Sequence, residues 1–189
     1  LSRTPGAVAV ISAESYADRY APNLADVLRD APGVYAQKKW GGDIRLSIRG
    51  SGIGNASHNR GVLLAQDGVP FNEADGYGDF QLIDPLIARY TEVYKGGNAL
   101  RFGGSLLGGA VNLVTPSGRT AGANLGLRLD GGAYGTARLH GEIAGQRGNW
   151  DGFAALTGQT ADGWRDQSEG KSLHLSANLG RAFGQDREV

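Results

Sequence analysis

The 189-residue sequence contains no cysteine and no methionine. The absence of cysteine excludes disulfide bonds, thiolate nucleophiles and cysteine-based zinc sites, and it fits a cell envelope as well as a cytosol. Because 19 basic and 19 acidic side chains cancel, there is no net charge to gather nucleic acid, and no nucleic-acid partner is expected. No apolar run approaches the roughly 20 residues of a membrane-spanning helix. The lack of an initiator methionine predicts a processed or truncated product.

Glycine, by contrast, is abundant: it accounts for 32 of the 189 residues, whereas glycine makes up about 7% of an average protein. Its spacing lacks the every-third repeat of collagen. It is also interleaved with Leu, Val, Tyr and Phe rather than with Ser or Gln, which argues against disorder. The glycines therefore predict strands and turns.

Residues 1 to about 116 mix helix and strand signals. Asn23 is a suitable N-cap for the helical segment "LADVLRDA", which Pro32–Gly33 would end. Ser12 and Asp84 are predicted to cap two more helices, through "AESYADRY" and "PLIARY". Strand patterns occur in "VAVIS", "GVYAQ", "RLSIRG", "VLLAQDGV", "TEVYKG" and "GAVNLVTP". This half predicts a compact α+β domain with a small sheet.

From about residue 121 the helical signals disappear and strict alternation begins. In "TARLHGEIAGQ", small or apolar residues such as Leu139 and Ile143 alternate with polar ones such as Arg138 and His140. "LGLRLDG" and "SLHLSANLG" repeat the pattern, and "WDGFAALTGQT" follows it less cleanly. Four segments of about 10 residues match transmembrane β-barrel strands in length and repeat. A soluble β-meander or sandwich has the same alternation, so both interpretations stay open at this level.

The stretch "IRGSGIGNASHNRG", residues 48–61, has the appearance of a nucleotide-binding loop. A dinucleotide loop needs Gly-x-Gly-x-x-Gly opening a helix, but the position of the third glycine is Asn55. The segment before "VLLAQD" is also too short for a crossover helix, which takes at least about 10 to 12 residues. Asp67 is then interpreted as a turn acid before Gly68. We interpret the glycines as a flexible bend rather than a phosphate cradle.

The three histidines, His58, His140 and His174, show no spacing typical of a catalytic triad or a metal site. His58 lies in a predicted loop. His140 and His174 lie on the polar faces of predicted strands, where the simplest interpretation is a side chain lining a barrel lumen. The sequence predicts neither an enzyme nor a bound metal or cofactor.

Several segments, in the right order, resemble one family, the TonB-dependent receptors of the Gram-negative outer membrane. "LADVLRDAPGV", "LSIRGSG" and "VLLAQDGVP" resemble elements of the family's plug domain. "IARYTEVYKGGNALRFGGSLLGGAVNLVTP", residues 87–116, resembles the end of the plug nearly step by step. Two positions depart from the family pattern: Lys95 stands where Arg is usual, and Gly97 where Pro is usual. Both leave the local turn feasible.

The resemblance implies an α+β plug domain over residues 1–118. Residues 119–189 would be the first antiparallel strands of a transmembrane β-barrel of roughly 22 strands. Four strands cannot close a barrel, and open edges in lipid are costly, so we expect a fragment of a longer receptor. The chain is also expected to begin after the TonB box, the segment that the energising protein TonB grips.

The resemblance further implies that two outward-facing plug loops form the floor of a ligand site. Their candidate ligand-binding residues are His58, Asn59 and Arg60 in the first loop and Asn72, Glu73, Asp75, Tyr77 and Gln81 in the second. Arg60 and His58 would pair with carboxylate or hydroxamate oxygens, and Tyr77 would stack on a flat ligand. Each of them is also an ordinary hydrophilic turn residue. Lys38, Lys39 and Trp40 are a third candidate group, for the site or for the gap between plug and barrel.

Arg49 and Lys95 have a different implied role. In the resemblance these positions pair with carboxylates of the barrel wall and hold the plug in place. Polar contacts suit a plug that must move during transport. The alternative for Arg49 is a surface arginine that ends a strand.

Loop lengths predict the direction of the strands. "DGGAYG" and "ADGWRDQSEGK" are the longer connections and are predicted to be extracellular, whereas "QRGNW" and "GQDRE" are predicted to be periplasmic turns.

The sequence thus predicts an outer-membrane transporter that binds and imports a ferric chelate, a siderophore or ferric citrate. The iron belongs to the substrate. The expected partners are TonB with ExbB and ExbD, the chelate and outer-membrane lipid. Cobalamin, haem and oligosaccharide importers share the plug signature and stay open as alternatives, as does a non-transporting adhesin or barrel. A soluble nucleotide-dependent enzyme would need a helix at residues 52–60.

Overall fold

The structure is a computed structural model, and it describes residues 7–39, 41–51, 61–73, 75–103 and 106–183. The chain divides into two compact units, Leu1–Thr115 and Pro116–Val189. The predicted domain boundary after residue 118 stays a prediction. Among the described residues, no helix has the length and apolar character needed to cross a membrane.

The first unit is built on a five-stranded mixed sheet with a separate two-stranded hairpin. The sheet has the order β1–β6–β7–β4–β5, in which β4 and β7 are parallel and every other pair is antiparallel. The hairpin consists of β2 and β3. In chain order the strands are β1 Val8–Ser12, β2 Val34–Lys38, β3 Ile44–Ile48, β4 Val62–Gln66, β5 Val69–Pro70, β6 Tyr90–Lys95 and β7 Gly109–Val114. The prediction of a small sheet with short helices is confirmed.

The helices are shorter than the sequence predicts. Helix α1 spans only Leu24–Leu28, and the Asn23 side chain caps it by accepting from the Ala25 N–H at 3.1 Å. The other helical segments described in this unit are short 3₁₀ turns, at Ala13–Tyr16, Phe80–Leu82, Pro85–Ile87 and Gly96–Phe102. Helices of this length gain few backbone hydrogen bonds, so tertiary packing rather than propensity sets where they end.

The sheet is covered by apolar residues on both faces. One face, with Val62 and Leu64 of β4, packs against α1 and the hairpin. The other face, with Leu63 and Ala65, packs against the segment around Ala99. Strand β4 is therefore buried on both sides, which explains its unbroken apolar run "VLLA".

Tyr16 is buried in the first core, with 2% of its surface exposed, and its hydroxyl donates to the Pro85 carbonyl at 3.0 Å. Burial, with a smaller effect from the Asp84 charge, raises the pKa of Tyr16 to about 12. The resulting stabilisation is complete below pH 10, the ordinary value, and is lost as the pH rises towards 12. We expect a loss of about 2 to 3 kcal/mol over that range. Spectrophotometric titration should show a late-ionising tyrosine that Tyr16→Phe removes, whereas ordinary titration near pH 10 would contradict the burial.

The second unit is an antiparallel meander with the order β11–β10–β9–β8. Its strands are β8 Leu125–Gly131, β9 Ala137–Arg147, β10 Trp150–Ala161 and β11 Gly170–Arg181. Strand β10 pairs along its whole length with β11, although its alternation is the least regular in the sequence. The four predicted strands are confirmed.

The two faces of this meander differ in polarity. Large side chains on one face are 48–76% exposed; we call this the apolar face. They are Leu125, Leu127, Leu129, Leu139, Ile143, Leu156, Leu173, Leu175 and Leu179. The opposite face is polar. There the Asp130 carboxylate lies between Arg128 and Arg138, and His140 Nδ1 lies 2.7 Å from Thr157 Oγ1.

The connections of the meander also differ between its two ends. Strands β9 and β10 are joined by the two-residue turn Gly148–Asn149. At the other end the connections 132–136 and 162–169 are longer, and they meet where the Asp162 N–H donates to the Tyr134 carbonyl at 2.8 Å. The short turn at 148–149 and the two longer connections at the other end agree with the lengths predicted for them. The other predicted periplasmic turn, "GQDRE", lies outside the described residues.

Candidate functional site

The predicted glycine bend begins with a tight turn directly after β3. Arg49 and Gly50 have φ values of +53° and +89°, and the Ser51 N–H donates to the Ile48 carbonyl at 3.0 Å. Positive φ at two successive residues reverses the chain within one turn. The glycine at position 50 is therefore explained by this turn, without a phosphate group.

Three predicted ligand-binding residues, His58, Asn59 and Arg60, lie outside the described residues. The same is true of the segment 52–60 in which a nucleotide-binding helix would have to lie. The roles predicted for these residues stay predictions. Directly after this segment, the Gly61 carbonyl accepts from the Gly108 N–H at 2.9 Å.

Arg49 is held where three of the resembling segments meet. Its N–H donates to the Gly33 carbonyl at 2.9 Å. Its Cγ lies 3.9 Å from the position that a Cβ on Gly33 would occupy. Its Nη1 lies 3.4 Å from the position that a Cβ on Gly96 would occupy. Both glycines have positive φ, +75° and +62°. The glycines of "PGV" and "YKG" thus allow left-handed turns and leave room for the arginine of "IRG".

Lys95, the second predicted anchoring residue, ends β6 directly before Gly96 and is 9% exposed. The structure therefore brings the two predicted anchoring residues to one place, since the Arg49 guanidinium lies against Gly96. Within the described parts of the chain, neither cation has a hydrogen-bonded or ionic partner. Their roles as anchoring residues stay predictions.

Asn72, in the second predicted loop, uses its side chain to fasten the chain to β4. Its Oδ1 accepts from the Leu64 N–H at 2.7 Å, and its Nδ2 donates to the Val62 carbonyl at 3.2 Å. Both polar atoms of the amide are therefore engaged with backbone. The structure gives Asn72 a positioning role, and direct binding of a ligand by it stays a prediction.

The rest of this loop forms a compact exposed turn. The Glu73 N–H donates to the Tyr77 carbonyl at 2.7 Å, and the Asp75 carboxylate accepts from the Tyr77 N–H at 2.8 Å. Glu73 and Asp75 are exposed, and Tyr77 is 37% exposed. Three of the predicted contact residues, Glu73, Asp75 and Tyr77, thus lie close together at the surface.

The third candidate group lies beside the same loop. A Cβ added to Gly41 would lie 3.7 Å from Gln81 Oε1, and one added to Gly42 would lie 3.6 Å from Gln81 Cα. These two glycines of the β2–β3 connection therefore pack on the predicted site residue Gln81. Lys38 forms an ion pair with Asp26 at 2.6 Å. Lys39 forms an ion pair with Asp43, and Trp40 is outside the described residues.

A buried polar network on the second face of the sheet was not predicted from the sequence. Asn112 Nδ2 donates to Glu92 Oε2 at 3.0 Å, and Asn112 Oδ1 accepts from the Gly68 N–H at 2.9 Å. Arg101 Nη1 donates to the Tyr94 hydroxyl at 3.2 Å. Burial and, to a lesser extent, a hydrogen bond to Glu92 raise the pKa of Tyr94. The sequence signal is weak: Asn112 interrupts an apolar strand, whereas Glu92 lies in a strand that already mixes polar and apolar residues.

The Asp67 side chain fastens the turn between β4 and β5 to the end of β7. Asp67 and Gly68 have φ values of +50° and +81°, as a two-residue hairpin turn requires. The Asp67 carboxylate accepts from the N–H and the hydroxyl of Thr115, at 2.8 and 2.6 Å. The interpretation of Asp67 as a turn acid is confirmed. Within the described residues, no group of three or more metal-ligating side chains is found.

Comparisons with known proteins agree on one family. The family described as TonB-dependent Receptor Plug Domain matches residues 1–110. The chain is 29% identical to the vitamin B12 transporter BtuB of Photobacterium profundum, covering 86% of this chain and 26% of the transporter. It is 30% identical to the ferric enterobactin receptor PirA of Pseudomonas aeruginosa, covering 65% of this chain and 18% of the receptor.

Solved structures show the same fold. The pyoverdine outer membrane receptor FpvA of Pseudomonas aeruginosa PAO1 superposes with a TM-score of 0.75 at 21% identity, covering 98% of this chain and 26% of the receptor. For a mutant of the ferric enterobactin receptor PfeA of the same species, the TM-score is 0.71 at 20% identity, with coverages of 99% and 32%. The chain thus spans about a quarter or less of the length of these curated relatives.

Proposed function

Because the chain belongs to the family of TonB-dependent receptor plug domains, we propose that it is part of an outer-membrane transporter that binds and imports a ferric chelate. In this proposal the first unit is the plug and the second contributes the first strands of the barrel. The family match over residues 1–110 carries the proposal. The family membership itself confirms the prediction of a receptor of the Gram-negative outer membrane rather than an enzyme.

The choice of a ferric chelate is supported by relatives, not by a bound ligand. Several are named for ferric siderophores, including enterobactin, rhizobactin and pyoverdine. Others are named for vitamin B12 and hemin. A siderophore or ferric citrate is our first substrate class, and cobalamin is the second candidate because the BtuB match covers the larger share of this chain.

The proposed binding floor is the exposed turn that carries Glu73, Asp75 and Tyr77, with Gln81 beside it. Glu73 and Asp75 would accept hydrogen bonds from hydroxyl or amide groups of the chelate, while Tyr77 would offer a flat ring for stacking. His58, Asn59 and Arg60 would add donors for its anionic oxygens. Asn72 would hold the turn on β4.

We also propose that Arg49 and Lys95 hold the plug by pairing with carboxylates of the barrel wall. Their lack of counter-charges within the described parts of the chain supports this role. Energy for transport would come from TonB with ExbB and ExbD, acting on a segment of the whole receptor.

A binding experiment tests the substrate proposal. The complete receptor is titrated with ferric citrate, a ferric hydroxamate and a ferric catecholate while its tryptophan fluorescence is followed, and cobalamin and hemin form two further arms. We expect saturable quenching with one ferric chelate. A response to cobalamin or hemin alone would contradict the ferric-chelate proposal and would identify that compound as the substrate.

Replacing Tyr77 with alanine is expected to weaken binding of the active chelate about tenfold, because the substitution removes the stacking ring from an exposed turn. Tyr35→Ala is the matched control, since Tyr35 is exposed on β2 in the same unit. Its affinity should equal that of the wild type. Equal affinities for all three proteins would remove Tyr77 from the proposed site.

A further inference from the structure

One end of the apolar face carries two arginines on either side of a tryptophan. Arg147 of β9 and Arg181 of β11 are both paired in register with Trp150 of β10. Because alternate residues of a strand share a face, all three lie on the face of the exposed leucines. We call Arg147, Trp150, Arg181 and the neighbouring Phe183 the basic rim.

Arg181 of the basic rim stacks on aromatic rings rather than on acids of the described residues. The Arg181 guanidinium lies 5.1 Å from the ring centre of Trp150 and 4.7 Å from that of Phe183. Within the described part of the chain, neither Arg147 nor Arg181 has an acidic partner. The neighbouring Asp151 lies on the opposite face, where its carboxylate accepts from Arg119 Nε at 2.7 Å. The rim therefore presents two positive charges beside two aromatic rings.

A shallow groove of about 450 Å³ lies on the apolar face beside the basic rim. On the apolar face it is lined by residues with small side chains or none, Gly145, Gly152, Ala154 and Ala177, with Ile143 at one side; their strand neighbours Ala144, Phe153 and Asn178 also contribute to the lining. Gly145 and Gly152 are one row from the rim, about 7 Å along the strands. The rim and the groove are thus continuous, with charge at the end and an apolar channel leading away from it.

The opposite end of the apolar face is different. The row there contains one cation, Lys171, paired in register with Thr160, which in turn pairs with Ala137. This row therefore carries one positive charge, against two in the basic rim, and it contains no aromatic ring. The two ends of the same face would not bind lipid headgroups equally.

We propose that the basic rim and its groove bind one anionic glycerophospholipid of the periplasmic leaflet. The phosphate would lie between Arg147 and Arg181, and one acyl chain would occupy the groove. Basic side chains next to an apolar surface attract anionic headgroups, and tryptophan is favoured at the level of the headgroups. This inference rests on the proposed function, in which the second unit contributes strands of a barrel in the outer membrane. It also requires that the two-residue turn beside the rim lies at the periplasmic end of the strands.

Native mass spectrometry of the complete receptor, titrated with phosphatidylglycerol or phosphatidylcholine, tests the site. The wild type is expected to retain phosphatidylglycerol in preference to phosphatidylcholine. The double substitution Arg147→Gln and Arg181→Gln is expected to lower this retention at least about tenfold. Lys171→Gln, at the opposite end, is the matched control and should retain as much as the wild type.

A second variant tests the groove without changing charge. Gly152→Leu would fill the floor and is expected to lower retention of phosphatidylglycerol about tenfold, with the thermal midpoint kept. Equal retention by the wild type and the double arginine variant would overturn the proposal. So would equal retention of the two phospholipids, or retention of lipopolysaccharide alone. Lipid retention is measured without chelate, so failure of the proposed transport function would appear separately.

Discussion

Replacing Gly109 with alanine is expected to lower the free energy of unfolding by at least about 3 kcal/mol. Gly109 begins β7 with φ +151°, a conformation that side chains disfavour. A Cβ there would lie 2.3 Å from the Tyr94 carbonyl oxygen and 2.9 Å from Ile48 Cδ1. That carbonyl belongs to β6, the neighbouring strand, so relief of the clash would break the pairing of Lys95 with Gly109.

Gly97→Ala is the matched control for this result. Gly97 lies in the nearby 3₁₀ turn, and a Cβ there would meet no atom within 4 Å. Its variant should stay within about 0.5 kcal/mol of the wild type. Urea unfolding of the complete receptor, followed together with protease cleavage of the plug, measures both. A Gly109→Ala protein as stable as the control would show that β6 and β7 do not approach each other as described.

Replacing both Arg49 and Lys95 with glutamine is expected to loosen the plug without unfolding it. Neither cation has a partner within the described parts of its own unit, so the internal stability of that unit should change little. Each proposed contact with the barrel is a charged pair, and loss of one partner of such a pair costs about 2 to 5 kcal/mol. The urea concentration at which the reconstituted receptor begins to conduct ions should fall by at least about 1 M.

The control for the anchoring test is Arg19→Gln. Arg19 is also a cation of the plug, but it is paired inside its own unit with Asp30 at 3.1 Å. Its loss is expected to cost at most about 1 kcal/mol and to leave the onset of conduction unchanged. An unchanged onset in the Arg49 and Lys95 double variant would mean that the plug is held by other contacts.

Local patterns in the sequence were sufficient for much of the fold. Strict alternation predicts the four strands of the second unit because each strand has one apolar and one polar face. The Asp67–Gly68 turn and the Asn23 cap follow from the local chemistry of single residues. Helix lengths were not predictable in this way, since packing in the core decides where such short segments end.

Features that depend on register could not be predicted. Glu92 and Asn112 are opposite each other only because β6 and β7 pair in one particular register. The same applies to the basic rim, where Trp150 meets one arginine from each neighbouring strand. For the ligand site, the sequence indicated which loops to consider. It could not indicate that both polar atoms of Asn72 would be engaged by the backbone of β4.

The strand order of the first unit has a consequence for biogenesis. Among the described strands, β1 is at the edge of the sheet and pairs with β6, with Val8 opposite Tyr94. If the amino terminus is exported first, β1 reaches the periplasm with its backbone groups unpaired and waits until β6 has followed. Such long-range pairing closes a large loop, and the entropy lost on closure is not compensated until the strands are in contact. Folding is therefore slow, and the nascent chain is prone to aggregation. In the proposed receptor, periplasmic chaperones would therefore have to protect β1 until β6 has been delivered.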